Sequence, residues 1–298
     1  MKLVYYKGDE PNFGDELNTY MWPQILPQNF LDNDDSELFI GIGSILWDFL
    51  PKEPQKFVMG SGFAGYTAPP NVHDGSWDVA FVRGPWTASQ LELPRQKAIC
   101  DSAILLRTMD LPGAGDAIEA AFMPHFDSLQ RGVWEKACDL AGIRLIDPRG
   151  DVETIISEIK SAKVLVTEAM HGAIVADALR TPWIAAKPIQ ASHHSKWYDW
   201  SDALSIDLKF NNLRPTNSME AYVGLSRGRG KIDGRAGRVS NSLIAQPINK
   251  ALTYWAAEGL KKMTKLDPQL SSDTNITNAT DAAHNAVQNF VLSRRKVA

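Results

Sequence analysis

The sequence predicts an α/β protein of two units, each built on a parallel sheet, with a linker between them and helices at the C-terminus. Three observations carry this. Short apolar, β-branched runs alternate with helix-period segments in two successive series, the pattern of parallel strands joined by crossover helices. A stretch rich in helix and strand breakers, DLPGAGD at 110–116, separates the series. The length, 298 residues, suffices for two domains with cores of their own. Two such units predict a cleft between them.

In the first series, strands are expected at 3–6, 38–42, 56–59, 79–82 and 98–100, with helices at 16–25 and 85–93. Pro85 suits the first position of the second helix. The second series reads as strand 121–123, helix 129–141, strand 144–146, helix 152–162, strand 164–166, helix 171–179 and strand 183–185. Residues 227–238, RGRGKIDGRAGR, hold five cations and one aspartate among glycines, the composition of a mobile basic loop. Ile244, Ile248, Leu252, Trp255 and Met263 then share one helical stripe, of the kind a helix buries when it packs back on a core. Pro247 must lie near that helix's start or kink it. Residues 266–280 are polar and read as loose, and a last helix is expected at 282–292. The expected layout is an N-terminal domain 1–112, a second domain 119–215 and a tail 216–298.

Composition narrows the function. Hydrophobic residues at 44%, charged residues at 22% and a formal charge of −4 are ordinary for a globular protein and give no reason to expect nucleic acid. A small-molecule partner fits better. Cys100 and Cys138 lie in different segments and support neither a disulfide framework nor a zinc cluster, as expected in a reducing cytosol. The N-terminus reaches acidic residues too soon for a signal peptide, and no apolar run could span a bilayer. The expected location is cytoplasmic. Without a secretion signal, the sequons at Asn275 and Asn278 carry no weight.

The segment 164–186 is the most informative. Its strand gives way to a helix at His171, where free backbone N–H groups and the positive end of the helix dipole would meet a phosphate or carboxylate. A histidine that merely caps the helix is the alternative. Asn12, Gly14 and Asp15 follow the first strand, at the sheet edge where open α/β folds bind ligands. Asp15 either caps the next helix or serves as a base or hydroxyl ligand. Gly41, Gly43 and Ser44 follow the second strand and would let a ligand approach the backbone. Arg83 follows another strand, as an anion clamp at a cleft mouth or as one half of an interdomain salt bridge. Asp101, His125, His193, His194 and Lys196 also fall after strand ends. No set among them has metal-ligand spacing, so no metal is expected. Gly60 to Gly65 matches the dinucleotide fingerprint, but YTAPPN follows it where a helix must begin, so it reads as a strand-end loop.

Taken in order, Asn12-Phe-Gly-Asp15, Gly41-Ile-Gly-Ser44, Val82-Arg83-Gly-Pro, Asp101-Ser-Ala, Pro124-His125, Glu168-Ala-Met-His171-Gly-Ala and Lys196-Trp-Tyr-Asp199 resemble the polysaccharide pyruvyl transferases. The resemblance is strongest to the branch that includes succinoglycan-type ketal pyruvate transferases, and it spans about the first 200 residues. It implies a glycosyltransferase-B-like fold, two Rossmann-like domains facing a cleft with C-terminal helices. The N-terminal domain would face the acceptor and the second domain the donor. It also implies an activity: phosphoenolpyruvate gives its pyruvyl group to two sugar hydroxyls as a cyclic ketal, with no cofactor beyond the donor substrate. The acceptor would be a lipid-linked oligosaccharide of exopolysaccharide synthesis at the inner membrane face. His171 becomes acid or phosphate clamp, Asp15 the acceptor-side base with Asp101 in reserve, and Asn12, Gly14, Gly43, Ser44, Arg83, His125, Glu168, His194, Lys196 and Arg214 the substrate contacts. Many family members have an arginine two positions before the histidine, where this chain has Ala169. Arg83, Lys196 and Arg214 are the expected replacements. The basic loop reads either as a solvated linker or as a contact for lipid diphosphates and anionic headgroups. Two other readings stay open: a glycosyltransferase using a nucleotide sugar, and a non-catalytic subunit of a polysaccharide-assembly machine.

Overall fold

The computed structural model describes residues 1–226 and 234–295, and the chain forms two compact units. Unit 1 comprises Met1–Leu111, Ser192–Asp207 and Ser271–Ala298; unit 2 comprises Pro112–Ala191 and Leu208–Leu270. Each is α/β around one parallel sheet.

Unit 1 opens with β1 (Lys2–Val4), α1 (Phe13–Ile25), β2 (Glu37–Ile40), β3 (Gln55–Met59), β4 (Trp77–Phe81) and α2 (Pro85–Gln90). The four strands pair in parallel in chain order. β2 and β3 are almost wholly buried, as sheets covered on both faces require. The strand expected at 98–100 is reduced to a single bridge between Ala98 and Val82. The Gly60 to Gly65 run leaves β3 as a loop and leads to β4, not into a helix.

Unit 2 begins with β5 (Ala121–Met123), α3 (Phe126–Arg131), α4 (Trp134–Ala141), β6 (Arg144–Leu145), α5 (Val152–Ser161), β7 (Leu165–Thr167), α6 (Met170–Ala178) and β8 (Trp183–Ala186). The single helix expected at 129–141 is two, broken at Gly132. After α7 (His194–Ala203), which belongs to unit 1, come β9 (Phe210–Asn211), α8 (Ser218–Leu225), α9 (Arg235–Ser240), α10 (Gln246–Met263) and α11 (Asp273–Arg295). The strand order β6-β5-β7-β8-β9 reverses direction between β5 and β7. Such a switch point opens a crevice at the carboxyl ends of the strands, where open α/β sheets receive ligands.

Two expectations about the tail are corrected. Residues 273–280 are not loose: α11 starts at Asp273 and buries Ile276, Ala279, Ala283, Val287, Phe290 and Val291 at three- and four-residue spacing. Phe290 meets Phe30, Phe39 and Phe57, and the Arg294 guanidinium pairs with Glu37. Nor is the stripe of large residues buried as a whole: of its members only Met263 is, with Leu252 half-buried. Helix α10 packs on α4 through Thr253, Ala256, Ala257, Leu260 and Met263, while Ile244, Ile248 and Trp255 face outward. Small side chains let the two backbones approach closely, which decided the orientation over bulk hydrophobicity. Among the described residues no helix is long and apolar enough to cross a membrane. Arg227, Arg229 and Lys231 of the basic loop lie outside the described residues, whereas Arg235 and Arg238 are on α9.

Candidate functional site

In unit 1, the ends of β1 and β2 bring the Asn12–Asp15 block beside the Gly41–Ser44 turn. Asn12, not Asp15, is the N-cap of α1. Asp15 sits in the first turn, half-buried, and its carboxylate accepts a hydrogen bond from the Asn12 amide at 2.7 Å. A negative charge there is favoured by the helix dipole. Gly43 has φ +126°, and a Cβ on it would stand 3.8 Å from the Asp15 carboxylate. Asn18 went unnoticed in the sequence, yet it ties the two blocks together. Its amide donates to Ile42 O at 3.0 Å and its carbonyl accepts from Ile42 N at 2.8 Å. The space left by Gly41 is taken by the protein itself, since a Cβ would fall 2.2 Å from Trp22 Nε1.

Arg83 is not at a cleft mouth. It is wholly buried within unit 1 and pairs with the equally buried Asp199 at 3.1 Å. Its other nitrogens donate to Ser44 Oγ at 2.6 Å and Phe63 O at 2.9 Å. Asp199 further accepts from the Thr87 N–H and hydroxyl. Each nitrogen of the guanidinium thus has a partner inside unit 1, and the side chain is wholly buried. Ser44 is engaged in the same network. Asp101 is also fully buried and accepts from Ala103 N at 3.0 Å, capping the turn Ser102–Thr108. His194 and Lys196 lie in the first turn of α7, part-exposed, in unit 1.

Unit 2 collects the other candidates along the carboxyl edge of its sheet. Across that edge, Asp147 and Arg149 follow β6, His125 follows β5, Glu168 and His171 follow β7, and Lys187 follows β8. His125 and His171 therefore flank the switch point. His171 is the second residue of α6, whose N-cap is Ala169, in the turn where backbone N–H groups have no partner within the helix; its Nε2 is buried. Gly172 makes this placement attainable, because a Cβ would lie 2.5 Å from Thr167 Oγ1 and 2.7 Å from Met123 Sδ. His125 caps α3, accepting from Asp127 N at 3.4 Å.

Glu168 is buried, and its carboxylate accepts from His125 N at 3.0 Å. It holds the His125 strand end in place. Arg214 stacks on Trp255 at 4.8 Å and donates to its carbonyl at 3.1 Å. Lys187, exposed at the end of β8, was missed in the sequence because one lysine after a strand carries no pattern.

Burial pushes the Glu168 carboxyl up to about 7, against the opposing hydrogen bonds from His125 and Ser128. Burial raises Glu220 as well, despite hydrogen bonds from Thr216 and Trp134. The folded protein thus binds these protons more tightly than the unfolded chain, whose glutamates titrate near 4.5. The associated stability is full below that value and is lost as pH rises through about 7. Melting temperature should fall across this window, and more shallowly in Glu168→Gln. Parallel pH profiles for variant and wild type would show that Glu168 contributes nothing to the slope.

The family model described as polysaccharide pyruvyl transferase matches residues 9–186. That span runs from just before the Asn12 block to the end of β8. The chain is also 32% identical over 299 aligned positions to the succinoglycan biosynthesis protein ExoV of Rhizobium meliloti (strain 1021), covering 92% of this chain and 93% of that one. The ordered blocks, the two parallel sheets and a match over most of the chain agree: this protein belongs to the polysaccharide pyruvyl transferase family.

Proposed function

We propose that the protein transfers the pyruvyl group of phosphoenolpyruvate onto two hydroxyls of a sugar in an exopolysaccharide repeat unit, forming a cyclic ketal and releasing phosphate. The observation that carries this reading is His171 in the first turn of α6, beside the switch point of unit 2. Helix N-termini at such an edge favour anions, and an imidazole there can give or take a proton. The donor's methylene carbon takes a proton, oxocarbenium character develops at the neighbouring carbon, and the sugar hydroxyls add there as phosphate leaves. His171 delivers the proton or clamps the phosphate. Asp15, held by Asn12, receives the proton of an attacking hydroxyl. With Arg83 buried and paired to Asp199, the donor's charges fall to Lys187, at the same sheet edge of unit 2 as His171. The acceptor is a lipid-linked oligosaccharide, reached from the cytoplasmic side.

A thermal-shift titration tests this. Phosphoenolpyruvate at about 100 times its Kd should stabilise the folded protein by about 2.7 kcal/mol, a rise of several degrees. His171→Ala should abolish the rise if the side chain clamps the phosphate, and should keep the rise but lose turnover if it delivers the proton. A response to UDP- or GDP-sugars alone would replace pyruvyl transfer by glycosyl transfer. Silence with every donor, together with stable association with other synthesis proteins, would indicate a non-catalytic subunit.

A further inference from the structure

The outward stripe on α10 continues into the corner between α9 and α10. Val239 and Ile248 are each 58% exposed, Leu243 80% and Ile244 88%, all within ten residues. Leu225, at the end of α8, is 88% exposed. Single exposed aliphatics need no explanation, but a cluster of this size on one corner marks an interaction surface.

The corner is not a loose loop. Ser218 Oγ and Ser240 Oγ are 2.9 Å apart, and Asn249 donates to Ser240 O at 2.8 Å while accepting from Ser218 N at 2.9 Å. These bonds tie α8, α9 and α10 together beneath the exposed side chains, so the aliphatics are held out in water by a built scaffold.

Charge identifies the partner. Residues 234–257 contain Arg235, Arg238 and Lys250 and no aspartate or glutamate. All three cations are exposed. Tyr254 and Trp255, half-exposed, lie further along α10, with the Arg214 guanidinium over the Trp255 ring. Exposed aliphatics that share a short stretch of chain with exposed cations and amphipathic aromatics suit the boundary between headgroups and acyl chains of an anionic bilayer. A second copy of this chain fits worse, because a two-fold interface would set the same cations against one another.

We infer that the α9–α10 corner of unit 2 is a membrane-docking element that inserts Leu243 and Ile244 into an anionic lipid surface. The inference stands apart from the pyruvyl-transfer reading, and its test contains neither donor nor acceptor.

Flotation of the full-length protein is measured with phosphatidylcholine vesicles, with and without phosphatidylglycerol. Wild type should float with the anionic vesicles and remain in solution with the neutral ones. Arg235→Gln with Arg238→Gln should lower partitioning roughly 25-fold at low salt. Leu243→Ser with Ile244→Ser should lower it more than tenfold, with melting temperature unchanged because both side chains are already solvated. If this apolar variant floats like wild type, binding does not use the corner and the inference fails. It fails equally if wild type ignores anionic vesicles, or if the variant's effect is to dissolve a dimer.

Discussion

Replacement of His171 by alanine is expected to lower turnover by about 10²–10⁴-fold, the range for loss of a positioned proton donor or anion contact, while the protein stays folded. The side chain is part-exposed in the first turn of α6, and the apolar face of that helix, Ala173, Ile174, Val175 and Ala176, is untouched by the change. Glutamine separates the two roles. If His171 clamps phosphate, Glu or Asp there should be worse than Ala, and Gln should restore part of the donor affinity, with the loss concentrated in KM. If it delivers the proton, Gln should be as slow as Ala at saturating donor. Near-normal turnover in both variants would remove His171 from the chemistry and leave the switch point of unit 2 without its proposed proton donor.

Arg83→Ala should act on folding. It strips the partner from Asp199, which is fully buried and lies 116 residues further along the chain, and it vacates three hydrogen bonds at once. Breaking a buried pair from one side costs about 3–5 kcal/mol, a large share of an ordinary stability of about 5–15 kcal/mol. The expected result is insoluble protein or a melting temperature lower by roughly 10 °C. Arg83→Lys should recover little, because one ammonium cannot replace a fork directed at Asp199, Ser44 and Phe63. Arg83→Met with Asp199→Leu should recover much of the loss, since no unpaired charge remains. A variant Arg83→Ala with wild-type melting but without donor binding would return Arg83 to the role of anion clamp.

The contrast between His171 and Arg83 shows what a sequence can convey. His171 was legible because its setting is local. The apolar run of β7, the following helix period and the stop at Thr181-Pro182 lie within a few turns of chain, and local periodicity reports strand and helix directly. The same holds for β5, α5 and the proline-led start of α2. For Arg83 a salt bridge was one of two readings, and the choice and the partners were illegible, because no local pattern announces Asp199, Ser44 and Phe63 at 116, 39 and 20 residues away. Asp101 and Glu168 likewise turn inward, each accepting a backbone hydrogen bond. A carboxylate after a strand can face a ligand or turn inward to cap a backbone, and the two differ only by what packs above it.

The tail makes the same point for surfaces. Composition read 266–280 as loose, although the spacing of Ile276, Ala279 and Ala283 was already helical. It read Ile244, Ile248, Leu252, Trp255 and Met263 as one stripe to be buried, whereas the chain packs Ala256, Ala257, Leu260 and Met263 into the core and leaves Ile244, Ile248 and Trp255 outward. By itself the sequence determined the α/β class, the two series of strands and the position of His171 at a helix start, because hydrophobic period, breakers and helix-start signals act over a few residues. Tertiary structure alone decided which charges are neutralised inside, which strand ends share an edge and which helix face meets water, because these are set by contacts between segments far apart in the chain.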